Sequence, residues 1–343
     1  MGLLARTANI ALGVLVTAAS LYGALAIHYW LPWPEWLRSA GSWLFPIAIL
    51  ALWFAPGAWR RSRRAAALGS IALLTAAFLA KEPVERDWVD LQSRTAHAVI
   101  EGNRATIFNF RDAVHRPGEE SDVRWTTATF DLSQLDGVDL IIQPFGAVKA
   151  LAHVMLSFGF ADGRHVVVSM EARRVKGGRF DPLAGLFRHE QLFAELATER
   201  DLLWQRLART PPDELQIYPM HASPEAIRAY FTRLLTFVNE LHERPRFYST
   251  LRESCMTTLM NLAPDSFLPV PWHDVRRWVP GYALSLFQQL GLVDDGMPAA
   301  ELRDMHRVRD GVPPPWNFSS DEVWSANLRN GLPGSRKIGA AGI

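Results

Sequence analysis

The chain has a single cysteine among its 343 residues. One thiol excludes an intramolecular disulfide and a metal centre built from several thiolates. An excess of one charge is also missing, because 36 Lys and Arg balance 35 Asp and Glu. A nucleic-acid-binding protein would need a basic surface to neutralise phosphates, so that class is not expected. There is no glycine-rich phosphate loop, nucleotide fingerprint or GxSxG elbow, and the sequence predicts no cofactor and no metal.

Long apolar runs are abundant near the N-terminus. Three stretches carry no charged residue, namely 8–27, 41–59 and 65–80. About 20 apolar residues in a helix cross a bilayer core of roughly 30 Å, so two runs are long enough and the third is marginal. We therefore predict three membrane-spanning helices. There are two alternatives. Residues 1–26 could be a cleaved signal peptide, or the third run could be buried against the soluble part.

The basic residues give the orientation of these helices. The densest cluster lies between the second and third runs and consists of Arg60, Arg61, Arg63 and Arg64. Because short basic loops stay on the cytoplasmic side, everything after Lys81 is predicted to lie outside, on the periplasmic side of an inner membrane. Residues 28–39 then form an external loop whose aromatic side chains suit the headgroup region.

The rest of the chain has the composition of a soluble domain. Strand-like segments and turns fill residues 103–173, whereas residues 189–208 and 224–243 have helical spacing, and a short helix is expected near 281–291. Hairpins followed by helices predict an α+β domain. We predict a membrane segment over residues 1–81, a linker over 82–102 and a catalytic-type domain over 103–292. A C-terminal extension over 293–343 follows, and it is expected to be loose from Gly331 onward.

Cys255 is the residue that most needs an explanation. It shares one helical face with Leu251 and Leu259, so it can be a small buried core thiol. Alternatively, Ser254 is the N-cap and Cys255 is the first helical residue, where the helix macrodipole favours the nucleophilic thiolate. The helix pattern alone favours the core interpretation.

A thiol nucleophile needs a base, and the geometry of one hairpin selects His153. The sequence Ala161-Asp162-Gly163 is typical of a three-residue loop closed by glycine in a left-handed conformation. That register places His153 opposite Glu171, with Ser169 on the same face one diagonal step away. A carboxylate opposite a histidine fixes its tautomer and leaves the other ring nitrogen free to act. The alternative is a half-buried strand histidine that bonds to a backbone carbonyl.

Two further groups have both a structural and a functional interpretation. Arg173 and Arg174 follow Glu171 on the same strand, either as a solvated edge or as a contact for an anion. The aromatic residues after Pro264 are either core residues, which is the commoner case, or an apolar lip for an acyl chain formed by Phe267, Trp272, Trp278 and Tyr282.

Several segments resemble, in order from about residue 103 to about residue 291, the periplasmic Lnb-type domain of lipoprotein N-acyl-transferring proteins. The matching pieces are TFDLSQLDGVDLIIQPFG, LAHVMLSFGFADGRHVVVSMEARR, AGLFRHEQLF, TERD and ERPRFYSTLRESCMTTL. The resemblance implies a thiol enzyme in which His153 and Cys255 are the catalytic pair and Ser169 and Glu171 assist. It also implies a fold similar to circularly permuted papain-like enzymes, with histidine on a hairpin before cysteine on a helix.

The resemblance implies a membrane-anchored acyltransferase that passes an acyl group from a lipid or lipoprotein ester through a Cys255 thioester to an amine or to water. Arg173 and Tyr248, which lie in the matched segments, are predicted to contact the substrate. This chain has Glu253-Ser254 where the family has two asparagines. A cysteine peptidase or amidase acting on cell-wall peptides, and a catalytically silent membrane-anchored binding domain, are the alternatives.

Overall fold

The chain folds into two compact units. A computed structural model describes residues 3–146, 148–178, 181, 183–263, 270–294 and 296–334. One unit consists of Met1–Glu85 with Asp181–Gln191, and the other of Arg86–Phe180 with Leu192–Ile343.

The first unit is built from three long apolar helices, α1 (Leu3–Trp30), α2 (Glu35–Phe54) and α3 (Arg60–Ala80). Each is long and apolar enough to cross a membrane. The three helices pack around Val16, Ile49, Trp53 and Ala67. The three predicted N-terminal apolar helices are therefore present. Together with the sheet and helices of the second unit, described below, they confirm the predicted α+β class.

The helix boundaries differ from those expected. The external loop predicted over residues 28–39 contains only residues 31–34, because α1 continues through Trp30 and α2 begins at Glu35. Glu35 follows Pro34 and suits the positive end of a helix, which explains the early start of α2. The arginine cluster forms the first turn of α3 instead of the preceding loop, and the Arg64 guanidinium stacks on the Trp53 ring at 4.4 Å.

The second unit contains one mixed sheet. Its strands are β1 (His97–Glu101), β2 (Arg104–Arg111), β3 (Trp125–Asp131), β4 (Leu135–Pro144), β5 (Ala152–Phe160), β6 (His165–Arg173), β7 (Gln191–Ala197) and β8 (Gln216–Pro219). The strand order is β1-β2-β7-β6-β5-β4-β8, and β3 pairs with β2. The β2–β7 pair is parallel, while the β4–β5 and β5–β6 pairs at the centre are antiparallel.

Helices cover both faces of the sheet. They are α4 (Glu199–Leu202), α5 (Trp204–Leu207), α6 (Pro224–Glu243), α7 (Cys255–Asn261), α8 (Ala283–Gln289), α9 (Ala299–His306) and α10 (Asp321–Leu328). Along β5, Val154 and Leu156 face a core that contains residues of α6, α7 and α8. Met155 faces a second core with residues of α4, α5 and α10. The central strands are therefore buried on both sides.

The helix predicted over residues 189–208 is wrong in its first half. Residues Gln191–Ala197 form strand β7, all seven of them buried, and only short helical turns follow. A continuous apolar run that is buried on both faces has no alternation, so periodicity does not distinguish a strand from a helix. The helices predicted over 224–243 and near 281–291 are present as α6 and α8.

The terminal parts of the second unit belong to its core. Strand β1 lies within the stretch predicted as a linker. Helix α10 lies within the predicted extension, and its Trp324 is fully buried. The Arg329 guanidinium after α10 forms buried ion pairs with Asp139 and Glu199. Of the tail expected to be loose, residues 335–343 lie outside the described residues.

Candidate active site

The β5–β6 hairpin has the register predicted from its loop. Gly163 adopts a φ of +84°, and the Phe160 N–H donates to the Arg164 carbonyl at 2.9 Å. The strand pairing continues from Gly159 opposite His165 to Met155 opposite Ser169. This register sets the positions of the polar side chains farther along both strands.

His153, Ser169 and Glu171 meet at the far end of this hairpin. The His153 Nε2 atom lies 2.7 Å from Ser169 Oγ and 3.0 Å from Glu171 Oε1. The Ser169 hydroxyl donates to the same Glu171 oxygen at 2.8 Å. His153 and Ser169 are 7% and 0% exposed. Because Nε2 carries the proton shared with these two oxygens, Nδ1 remains for a partner on the other side of the ring.

Arg206, at the end of α5, holds the Glu171 carboxylate. Its Nη2 donates to Glu171 Oε1 at 3.1 Å, and its Nε donates to Gln143 Oε1 at 2.7 Å. Gln143 is paired with His153 across β4 and β5. The guanidinium therefore links the carboxylate to the strand beside the histidine. Neither Arg206 nor Gln143 was expected from the sequence, because no motif connects them to the hairpin.

Cys255 is the first residue of α7, as the N-cap interpretation predicts. The Ser254 Oγ atom accepts the Thr257 N–H at 3.3 Å, and Thr257 Oγ1 accepts the Ser254 N–H at 2.8 Å. This capping box uses two of the four N–H donors of the first turn. The N–H groups of Cys255 and Met256 are the other two, and neither has a partner among the described residues.

The thiol lies against the imidazole. Helix α7 contacts both β5 and β6, and Cys255 is 5% exposed. Burial alone would lower the pKa of His153, but the charges of Glu171 and Cys255 and the hydrogen bonds to both raise that pKa to about 9. Burial would raise the pKa of Glu171, yet His153 and Arg206 hold it well below its usual range. These charges favour the imidazolium form of His153 beside the Glu171 carboxylate.

Glu253, two residues before the thiol, forms an ion pair with an arginine. Its carboxylate lies 3.5 Å from Nη1 of Arg246, a residue of the ERPRFY segment, and its backbone forms a bridge with Ser249. Arg246 also pairs with Glu240 at 2.8 Å. The carboxylate of Glu253 therefore has a basic partner close to the start of α7.

The two residues predicted to contact substrate are both buried. Arg173 donates to the carbonyls of Gln92 and Ser93 at 2.9 and 3.1 Å, and its guanidinium stacks on the Trp88 ring at 4.4 Å. Tyr248 is 8% exposed and packs in the larger core. Their role as substrate contacts stays a prediction, and Arg173 has a structural role in joining β6 to the segment before β1.

A second polar cluster in this unit surrounds a buried aspartate. Asp201 is fully buried and accepts hydrogen bonds from Arg111, His115 and the Ala113 N–H. A cavity of about 120 Å³ lies near His165 and Glu199, and its lining includes none of the predicted site residues. No group of His, Cys, Asp or Glu in the described part of the chain has an arrangement that could hold a metal ion.

A family model matches the part of the chain that contains this site. Residues 121–281 match the model of the Lnb N-terminal periplasmic domain. The match supports the resemblance to that domain that the sequence motifs indicate. The matched span includes His153, Ser169, Glu171, Arg206 and Cys255. Neither the curated proteins nor the solved structures include a match to this chain.

The family and the three apolar helices together give the location of the protein. It is an inner-membrane protein whose Lnb domain lies in the periplasm. The relation to circularly permuted papain-like enzymes stays a prediction. The order of a histidine on a hairpin strand and a later cysteine at a helix start is the order that such a fold requires.

Proposed function

We propose that this protein is a periplasmic thiol acyltransferase that takes an acyl group from a lipid or lipoprotein ester in the membrane. The observation that carries the proposal is the arrangement of Cys255 at the start of α7 beside His153, whose other ring nitrogen is held by Ser169 and Glu171. A nucleophile, a base and a group that orients the base are the three parts of a thiol acyl-transfer site.

In the first half of the reaction, Cys255 Sγ attacks the ester carbonyl carbon and a C–S bond forms. The ester C–O bond breaks, and the leaving alkoxide takes a proton from the His153 imidazolium. The N–H groups of Cys255 and Met256, in the first turn of α7, would donate to the developing oxyanion. The product of this half is an acyl thioester on Cys255 and a free alcohol.

In the second half, an amine attacks the thioester carbonyl. His153 removes a proton from the amine, the C–S bond breaks, and the products are an amide and the Cys255 thiolate. Water in place of the amine would give a free acid, so the same residues would support hydrolysis. Glu171 and Ser169 stabilise the imidazolium in both halves without exchanging protons with the substrate.

Of the alternatives, the silent binding domain requires a fully enclosed thiol and a histidine out of reach. The His153–Cys255 interaction disfavours that alternative. A peptidase or amidase would use the same residues on a polar peptide substrate. The membrane helices favour a lipid ester, because they keep the domain next to its acyl donor.

The test is capture of the acyl-enzyme. The full chain in detergent is incubated with a diacylglyceryl lipopeptide whose N-terminal amine is acetylated, and intact mass is measured after acid quenching. We expect a mass increase of one acyl group that neutral hydroxylamine removes, absent in Cys255→Ala and retained in Glu253→Gln. A lipopeptide with a free amine should instead yield an amide-linked acyl group. A thiol that forms no thioester with any lipid ester, in protein that binds the lipopeptide, would contradict the acyltransferase proposal and leave the peptidase and the binding domain as the alternatives.

A further inference from the structure

An apolar rim lies beside the candidate active site. It is formed by the tip of the β4–β5 hairpin and by the segment before α8. Six large apolar side chains in these two segments are 41–80% exposed, namely Phe145, Val148, Leu151, Trp272, Val275 and Tyr282. Phe267, which was expected in the same lip, lies outside the described residues.

The two segments are held together next to the catalytic residues. The hairpin tip ends at Leu151, two positions before His153. The Gly281 N–H donates to the Ala150 carbonyl at 3.1 Å. A Cβ at Gly281 would lie 1.9 Å from the Lys149 carbonyl, so only glycine allows this approach. The turn Val275–Arg277 contacts α7, which begins at Cys255.

This concentration of exposed apolar residues is local. Elsewhere in the described part of the second unit, the large exposed apolar residues stand singly on different elements, as Val99, Met305, Trp316 and Val323 do. Single exposed apolar residues are ordinary, whereas a contiguous group marks a surface that is covered by something.

The charge around the rim is positive. Lys149 lies on the hairpin tip and Arg252 lies three residues before Cys255, and both are exposed. Neither forms an ion pair with a carboxylate in the described residues. Among the described residues near the rim, Asp274 pairs with Arg276 and Glu253 pairs with Arg246. Exposed Trp and Tyr beside unpaired basic residues are typical of the interface between headgroups and acyl chains.

We propose that this rim inserts into the outer-leaflet surface of the inner membrane, so that an acyl ester enters the site directly from the bilayer. The chain is anchored in that membrane by its apolar helices. The bilayer surface is therefore always close to the domain and is the partner that we assign to the rim. The inference deepens the proposed function, because it names the surface that delivers the acyl donor. It rests on the rim and does not require that Cys255 be reactive.

The single cysteine makes a direct test possible. The full chain with Cys255→Ala receives one new cysteine at Val148 or Val275 on the rim, or at Val99 on β1 as the control. These three valines are 54%, 64% and 48% exposed. Each protein is labelled with an environment-sensitive fluorophore and reconstituted into nanodiscs of phosphatidylcholine and phosphatidylglycerol. Quenching by lipids that carry a spin label near the headgroup end of the acyl chain is then measured.

We expect quenching at positions 148 and 275 to exceed that at 99 by at least about twofold, and to decrease in Lys149→Gln or in nanodiscs without phosphatidylglycerol. Quenching at both rim positions no greater than at 99 would overturn the proposal. So would rim labels that are shielded from aqueous iodide but not quenched by lipid, because a protein partner or a second copy would then cover the rim. Since the test protein lacks the thiol, failure of the catalytic proposal would not affect this result.

Discussion

The Nη2 atom of Arg206 lies 3.1 Å from Oε1 of Glu171, the carboxylate oxygen that also lies 3.0 Å from His153 Nε2. The guanidinium is 5% exposed, and it also donates to Gln143 and to the Leu202 carbonyl. A buried arginine with three partners has one available orientation. Arg206 therefore fixes the direction of the carboxylate that lies against the His153 imidazole.

Replacing Arg206 tests this positioning role. Arg206→Gln should reduce alkylation of Cys255 at pH 6 by about tenfold, because Glu171 loses its alignment with His153. Arg206→Lys should restore part of the rate, since it keeps the charge but loses the forked hydrogen bonds. Arg124→Gln is the control, because Arg124 is 52% exposed and its partner, Asp122, is not one of the site residues. Equal effects of the changes at 206 and 124 would contradict the assignment.

The two glutamates near the site should behave differently. Glu171 raises the pKa of His153, so Glu171→Gln should lower that pKa from about 9 toward 6.5 and leave less imidazolium at neutral pH. Alkylation of Cys255 between pH 6 and 8 should then slow. Glu253→Gln should leave the profile unchanged, because Glu253 pairs with Arg246. Faster alkylation of Cys255 in Glu253→Gln would show instead that the Glu253 carboxylate lowers the reactivity of the thiol.

The capping box of α7 should support both stability and reactivity. Ser254→Ala removes the acceptor for the Thr257 N–H and should cost about 1 kcal/mol of unfolding free energy. It should also slow alkylation, because the first turn that carries Cys255 becomes less ordered. Ser223→Ala removes the equivalent N-cap of α6. It should cost a similar stability but leave the alkylation rate unchanged, which separates a local effect on the site from a general loss of stability.

The buried Asp201 is predicted to stabilise the fold without affecting the chemistry. Its pKa is lowered by Arg111 and His115 against the effect of burial. Asp201→Asn leaves Arg111 with a weaker partner and should cost about 3–5 kcal/mol. The pKa of Asp201 in the folded protein lies below its unfolded value of 3.8. The variant should therefore lose the full amount of unfolding free energy above pH 3.8, and the difference from the parent protein should shrink as the pH falls further. Asp162→Asn, in an exposed pair with Arg164, should change thermal unfolding little.

Local patterns were sufficient to predict the parts of the site that lie close together in sequence. The loop Ala161-Asp162-Gly163 determines the register that joins His153 to Glu171 and Ser169, and Ser254 marks the start of α7. Arg206 could not be predicted, because its contact with Glu171 depends on a short helix after β7. The same region was taken for one long helix, since a strand buried on both faces lacks the period of two.

The meeting of the thiol with the imidazole is also a tertiary property. Cys255 follows His153 by more than 100 residues, and only the docking of α7 on β5 and β6 brings them together. The Tyr230 hydroxyl of α6 donates to the Leu259 carbonyl at 2.7 Å and fixes that docking. The sequence pattern of α7 by itself favours a core helix, so a family resemblance was needed to connect the two residues.

The measurement that tests the account most directly is the rate of iodoacetamide alkylation of the full chain in detergent, followed from pH 5 to pH 9. Cys255 is the only thiol, so the label has one source. A free thiol with a pKa of about 8.5 is almost entirely protonated at pH 6. We predict that the folded protein reacts at pH 6 at least about tenfold faster than the same protein in denaturant, and that His153→Gln removes this excess. A thiol that reacts at pH 6 only after unfolding would contradict the thiolate–imidazolium pair and the acyl-transfer mechanism built on it.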